Sequence, residues 1–287
     1  MTSETTSPAV ATTLDPADAL QATQVVVFAL ATLADLRDSD TESHMLRVQR
    51  YVRALCVQLQ AMPAHADVMT PTYVEMLITS VPIYDMGTVG IPDRILLKPG
   101  RLTPEETAIM RTHTTLGHDA LARAERTLGH VSPLLTIAKE ITLCHQEKWD
   151  GSGYPKGLWG AQIPLSARIV ALADVFDALI SNKVYKDGVS HERAVEILTE
   201  GRGAHFDPDV VDAFLKVQDD FRTIAQRHAD TDADMQQKIE YMPTRLPKSQ
   251  FFSTKQPTSP PHARNRLQRQ RVRLQPPPHG AVPPTDC

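Results

Sequence analysis

Apolar residues recur at helical spacing through most of this chain, and no segment alternates apolar and polar positions as a half-buried strand would. The pattern predicts an all-α fold. Across about 41–60, Val48, Tyr51, Val52, Leu55 and Leu59 fall on one side of a helix. An earlier segment, about 17–38, is more weakly amphipathic. Thr70-Pro71 opens a helix through about Ser80. Thr103-Pro104-Glu105-Glu106 is a stronger start, with an N-cap, a proline at the first helical position and a capping-box glutamate. That helix is expected to carry His113 on toward Gly117. In 134–145, Leu134, Ala138, Ile141 and His145 share a face, which turns His145 inward. The segment 166–180 is apolar almost all round, which predicts a central helix and makes Asp174 costly there unless it is paired or bound to metal. Asp207-Pro208 begins a last core helix expected to reach about Val217. After Asp230 the periodicity fades.

A chain of 287 residues with 41% hydrophobic content can bury a substantial core. Its strongest apolar run, Val25-Val-Val-Phe-Ala-Leu-Ala31, is far shorter than the ~20 residues that span a bilayer, so no membrane span is expected. The first residues lack the basic start and apolar stretch of a secretory signal, which makes the cytoplasm the expected compartment. Cys56, Cys144 and Cys287 have no paired metal-ligand spacing and read as reduced thiols. The net charge of -4 gives no general attraction to nucleic acid. Charge is uneven, however, because Arg264, Arg266, Arg269, Arg271 and Arg273 crowd a proline-rich end. The expected organisation is a disordered arm at 1–16, a leader helix at 17–38, a domain at 39–225 and a mostly disordered tail at 226–287.

The chemistry concentrates in His145-Gln-Glu-Lys-Trp-Asp-Gly-Ser-Gly-Tyr-Pro155, where the end of an apolar helix meets a glycine-rich loop. Asp40, His44, Asp85, His113, His145 and Asp174 come from several separate segments of the predicted bundle, as a metal site inside a helical bundle requires. Mixed imidazole and carboxylate ligation suits iron or manganese better than structural zinc. Taken singly, a histidine on an apolar face is more often a hydrogen-bonded core residue than a ligand, and Asp174 has Arg168 and Lys183 as competing partners.

Together with Ile91-Pro-Asp-Arg-Ile-Leu-Leu-Lys-Pro-Gly100 and Ala173-Asp-Val-Phe-Asp-Ala178, this loop closely resembles the HD-GYP family of bacterial metal-dependent phosphodiesterases that hydrolyse cyclic di-GMP. The resemblance covers about 35–225 and implies an HD-type helical bundle. It places metal ligands at His44, Asp85, His113, His145 and Asp174, with Asp85 catalytic. Asp40 stands where the family usually has glutamate, one methylene longer. Gly153, Tyr154 and Pro155 match the family's named loop, and Lys183, Tyr185 and Lys186 match a basic, phosphate-contacting segment.

Ile83-Tyr-Asp-Met-Gly-Thr88 departs from the family's His-Asp-x-Gly-Lys. Tyr84 removes an imidazole ligand, Thr88 removes a cation that would steady the substrate phosphate, and Gln146 stands where a second histidine is frequent. The resemblance thus implies a cyclic di-GMP phosphodiesterase homologue in second-messenger signalling, with a degraded metal site and weakened or abolished hydrolysis. The alternative is an active enzyme that tolerates Tyr84 and releases pGpG or GMP. Implied partners are cyclic di-GMP and diguanylate cyclase (GGDEF) domains. A homodimer through the leader helix is a further expectation. Many family members carry a receiver domain ahead of this region, and none is expected in so short a leader.

Overall fold

In a computed structural model, the structure describes residues 15–35, 37, 42–98, 100–181, 188–231 and 236. Among them helices dominate and no named strand occurs, as the periodicity predicts. The main core is built by three helices: α2 (Glu42–Gln60), α8 (Leu165–Ile180) and α10 (Pro208–Arg227). Val48, Tyr51, Val52, Leu55 and Leu59 of α2 are fully buried, and so are Ile169, Val170, Leu172, Ala173 and Phe176 of α8. Tyr51 stacks on Phe221 with ring centroids 4.4 Å apart, and Phe176 meets both rings edge-on at 5.2 and 5.0 Å. Each such large side chain contributes about 1.5–3 kcal/mol by leaving water.

Phe221 explains why α10 runs past Val217, where the sequence pattern is expected to end it. Its ring lies at the helical spacing of Val210, Val211 and Phe214, and all four are fully buried. The charged residues between Val217 and Arg227 occupy the solvent side of the same helix.

The helix starts follow the predicted chemistry. Thr70 caps α3 (Pro71–Ser80) by accepting from Tyr73 N at 3.2 Å. Thr103 and Glu106 form the capping box of α5 (Pro104–Arg111), at 3.2 and 2.8 Å. Replacing Thr103 by alanine is expected to lower stability by about 1 kcal/mol. A urea titration should show this as a lower midpoint with an unchanged slope.

The single helix expected from Thr103 to Gly117 is in fact two. At Thr112 the backbone N–H turns back to Ile109 O, and the hydroxyl donates to the same carbonyl at 2.6 Å. That local competition ends α5, and α6 (His113–Leu128) begins at the next residue. α7 (Pro133–Cys144) carries the expected apolar face into the core through Ile137, Ala138 and Ile141. Two further helices, α4 (Asp93–Leu96) and α9 (His191–Glu200), join the described bundle.

α1 (Pro16–Asp35) starts close to the expected leader and buries Ala31 and Ala34, while Val25, Val26, Leu30 and Leu33 stay exposed. Among the described residues, no helix is long and apolar enough to cross a membrane. Cys56 and Cys144 are buried free thiols. The arm, the Pro/Arg-rich end with its arginines, and Cys287 lie outside the described residues.

Candidate metal centre

Between α3 and α4 the chain makes two short 3-10 turns, Val81–Ile83 and Met86–Gly90, with Tyr84 and Asp85 between them. Gly87 fixes their position. A Cβ there would lie 1.9 Å from His113 O and 2.7 Å from Gly117 N, so only a glycine lets this turn rest on the first turn of α6. The contact brings Asp85 beside His113. Thr88 is buried, and its hydroxyl donates to Asp85 O at 2.8 Å.

His113 opens α6 and His145 caps the C-terminus of α7, and both rings are buried. The Nδ1 of His113 lies 2.7 Å from Met110 O, and that of His145 lies 2.9 Å from Ile141 O. Carbonyls only accept, so each Nδ1 carries the proton and each Nε2 of the neutral ring presents a lone pair. The two Nε2 atoms are 3.4 Å apart, and lie 3.2 and 3.3 Å from Asp85 Oδ1.

Oδ1 is buried and accepts no hydrogen bond. When both rings are neutral, three lone-pair atoms therefore converge within 4.8 Å of one another. This donor set fits a divalent cation, which would supply the missing positive charge. Burial opposes ionisation of Asp85, but His113 and His145 beside it outweigh that and hold its carboxyl below the usual range. Burial likewise opposes charge on His113, and Asp85 outweighs it in turn, raising the imidazole, so that a proton competes with a cation for this face.

A second set lies alongside. His44 Nδ1–H donates to Asp177 Oδ2 at 2.8 Å, and His44 Nε2 lies 3.0 Å from the Tyr84 hydroxyl. That hydroxyl donates to Asp174 Oδ1 at 2.6 Å. Tyr84 is buried, with its ring edge-on to His145 at 5.1 Å between centroids. Burial, with Asp85 nearby, raises the Asp174 carboxyl above its ordinary value. Neither competing partner read from sequence holds Asp174: Arg168 pairs with Asp207 instead, and Lys183 lies outside the described residues.

Behind His44 sits a pair that sequence reasoning misses. Arg47 grips Asp177 through two bonds, Nε to Oδ1 at 2.6 Å and Nη2 to Oδ2 at 2.8 Å, with both side chains buried. The same guanidinium donates to His228 O at 2.8 Å and Asp230 at 3.2 Å, which clasps the end of α10. Arg47 reads in sequence as one of several charges on α2, although it lies one turn beyond His44. Asp177 falls one turn beyond Asp174 inside a motif already singled out.

The loop after His145 closes over the centre. Glu147 is almost fully buried, and its carboxylate accepts from Lys156 N at 2.7 Å and Leu158 N at 3.0 Å. Gly153 packs so closely that a Cβ would lie 2.3 Å from Lys148 N. Tyr154 N donates to Gln146 O at 3.2 Å, and the Tyr154–Pro155 peptide is cis. The Tyr154 ring stands 6.3 Å from the His113 ring and beneath the Arg111 guanidinium, 4.8 Å from its centroid. Burial pushes the Tyr154 phenol up to about 12. A cleft of about 670 Å³ runs between this loop, α5 and α6, lined by Leu102, Arg111, Thr115, Tyr154 and Pro155 among others.

The structure thus brings together His44, Asp85, His113, His145 and Asp174, with Tyr84 among them and Gly153, Tyr154 and Pro155 on the adjoining loop. Asp40, Lys183, Tyr185 and Lys186 lie outside the described residues.

Residues 39–210 match the HD domain family. A Vibrio cholerae serotype O1 protein named "Probable cyclic di-GMP phosphodiesterase" is 53% identical over 73% of this chain and 48% of its own length. Another from the same organism, named "Cyclic di-GMP phosphodiesterase", is 52% identical over 74% of this chain and 45% of its own. The chain therefore spans about half the length of these curated relatives. The crystal structure of a cyclic GMP-AMP specific phosphodiesterase from V. cholerae shares the fold, with a TM-score of 0.50 and 20% identity over 79% of this chain and 56% of that one. The match to residues 39–210, across the helices that carry the converging histidines and carboxylates, shows that this chain belongs to the HD domain family.

Proposed function

We propose that this chain is an HD-GYP-type homologue of the cyclic di-GMP phosphodiesterases, acting in second-messenger signalling with its hydrolysis weakened or abolished. One observation carries the reading: the Tyr84 hydroxyl sits against His44 and Asp174, where the family pattern has an imidazole. The substrate class comes from the names of the relatives above. Asp85, His113 and His145 are proposed to hold a divalent metal, iron or manganese for so mixed a donor set. Such an ion, when bound, would supply Lewis acidity and an activated water for attack on a phosphodiester.

The chain's own groups set the rest. Met110 O and Ile141 O hold the two imidazoles in the tautomer that offers Nε2, and the His44–Asp177–Arg47 series orients the neighbouring ring. Tyr154 presents an aromatic wall and Arg111 a cation at the cleft, which suits a purine base and a phosphate. At the position of the family lysine, Thr88 spends its hydroxyl on Asp85 O and offers no cation. Lys183 and Lys186 are proposed to meet the phosphates. Self-association through the exposed Val25, Val26, Leu30 and Leu33 of α1 is a further proposal, as is docking of GGDEF domains on the loop.

The intact Asp85, His113 and His145 set favours a second reading, an active enzyme that tolerates Tyr84 and releases pGpG or GMP. Anaerobic incubation with ferrous or manganous ion and cyclic di-GMP, with products followed by chromatography, separates the two. The expected result is binding of the dinucleotide with little or no product. Turnover that disappears in Asp85→Ala would establish the second reading, and loss of binding as well as turnover would remove the substrate assignment.

A further inference from the structure

We infer that the Tyr84 hydroxyl keeps a divalent cation out of the His44–Asp174 pair, so that Asp85, His113 and His145 form the single divalent-metal position of this centre. This rests on the proposed reading of that trio as a metal site.

The two halves differ in the protons they own. Around Asp85 both imidazoles have committed their Nδ1 protons to carbonyls, so the neutral rings turn lone pairs toward the carboxylate and a cation can replace any proton held there. Around Asp174 the hydroxyl proton is already present. Tyr84 donates it to Asp174 Oδ1 at 2.6 Å and keeps its oxygen 3.0 Å from His44 Nε2. The phenol proton is thereby committed to Asp174, and a phenol binds a divalent metal only after giving that proton up. His44 Nε2 and Asp174 Oδ1 are 4.0 Å apart with the phenol oxygen beside both, so a cation shared by the two would contact that oxygen.

A cation could enter only by displacing the hydroxyl proton or by driving the ring away. The ring has no room to leave. It is 4% exposed, belongs to the main apolar core and lies edge-on to His145. Rotating it out would open a cavity in that core and place a phenol among apolar side chains. Replacing the family's histidine by a tyrosine therefore fills half of the centre with an O–H group and leaves the other half electron-rich.

The test is metal counting rather than turnover. The full chain is loaded with manganous ion, freed of excess, and its metal measured by elemental analysis and by electron paramagnetic resonance. About one ion per chain is expected in the wild type and in Tyr84→Phe, and about two in Tyr84→His. Asp174→Asn placed on Tyr84→His should return the count to about one, and His113→Ala should empty the wild-type site, with helicity checked by circular dichroism in each case.

Two ions in the wild type that fall to one in Tyr84→Phe would overturn the inference, because Tyr84 would then be a ligand. A count that stays at one in Tyr84→His while the chain remains folded would also overturn it. Absence of metal from the wild type would sink the reading of the trio together with the inference, whereas two ions would sink the inference alone.

Discussion

Replacing Tyr84 by histidine and Thr88 by lysine in one chain is expected to raise cyclic di-GMP turnover about 100-fold or more. The first change exchanges an O–H group for an imidazole lone pair beside His44 and Asp174. The second puts a cation where Thr88 now bonds only to Asp85 O. Removing a single charge-stabilising donor from an enzyme typically costs ~100- to 1000-fold in kcat, so restoring a ligand and a cation together should exceed either change alone. Single and double variants are compared by initial rates in manganese, with the metal content of each preparation measured. A metal-loaded, folded double variant with no turnover would show that the defect lies beyond these two positions.

Loss of Asp177 is expected to be the most costly single change to stability. Its carboxylate sits under Arg47 and also accepts from His44 and Ser181, with no exposed side-chain surface. Asp177→Ala leaves a guanidinium buried without its main partner, a loss of about 3–5 kcal/mol. Urea unfolding at neutral pH measures it, and a loss below 1 kcal/mol would contradict the assignment.

The pH dependence follows from the same contacts. Burial opposes ionisation of Asp177, but the hydrogen bonds from Arg47 and His44 outweigh it and hold the carboxyl well below the usual range. A carboxyl depressed in the folded state stabilises fully above its unfolded pKa of about 3.9, and that contribution is lost as pH falls below it toward the folded value. The wild type should therefore lose stability more steeply than Asp177→Ala between about pH 5 and pH 2.

Much of this was legible in the sequence, for identifiable reasons. The buried faces of α2 and α8 follow from local spacing, and Thr103 and Glu106 announce a cap through side chains three residues apart. His113 and His145 could be marked as candidates, yet their convergence on Asp85 depends on Gly87 touching α6, which no local pattern encodes. The Arg47–Asp177 pair joins residues 130 positions apart, and nothing near either one signals the other. Nothing beside Glu147 in the sequence announces its burial, because the backbone N–H groups it serves lie 9 and 11 residues further on. At Thr112 a helical pattern continues through a real break, because the deciding contact is one hydroxyl turned back on its own chain.

The anchoring of the loop by Glu147 also bears on the kinetics of ligand capture. Fixing a backbone residue costs roughly 1–2 kcal/mol of conformational entropy, and in this loop the cost is met during folding. Lys156 and Leu158 are tied to a buried carboxylate, Tyr154 is tied to Gln146, and the Tyr154 ring is held under Arg111 before any ligand arrives. A dinucleotide reaching the cleft would meet a wall already in shape. Its association should then follow diffusion and charge, with no slow ordering phase, and differences in affinity among ligands should reside in how long each one stays.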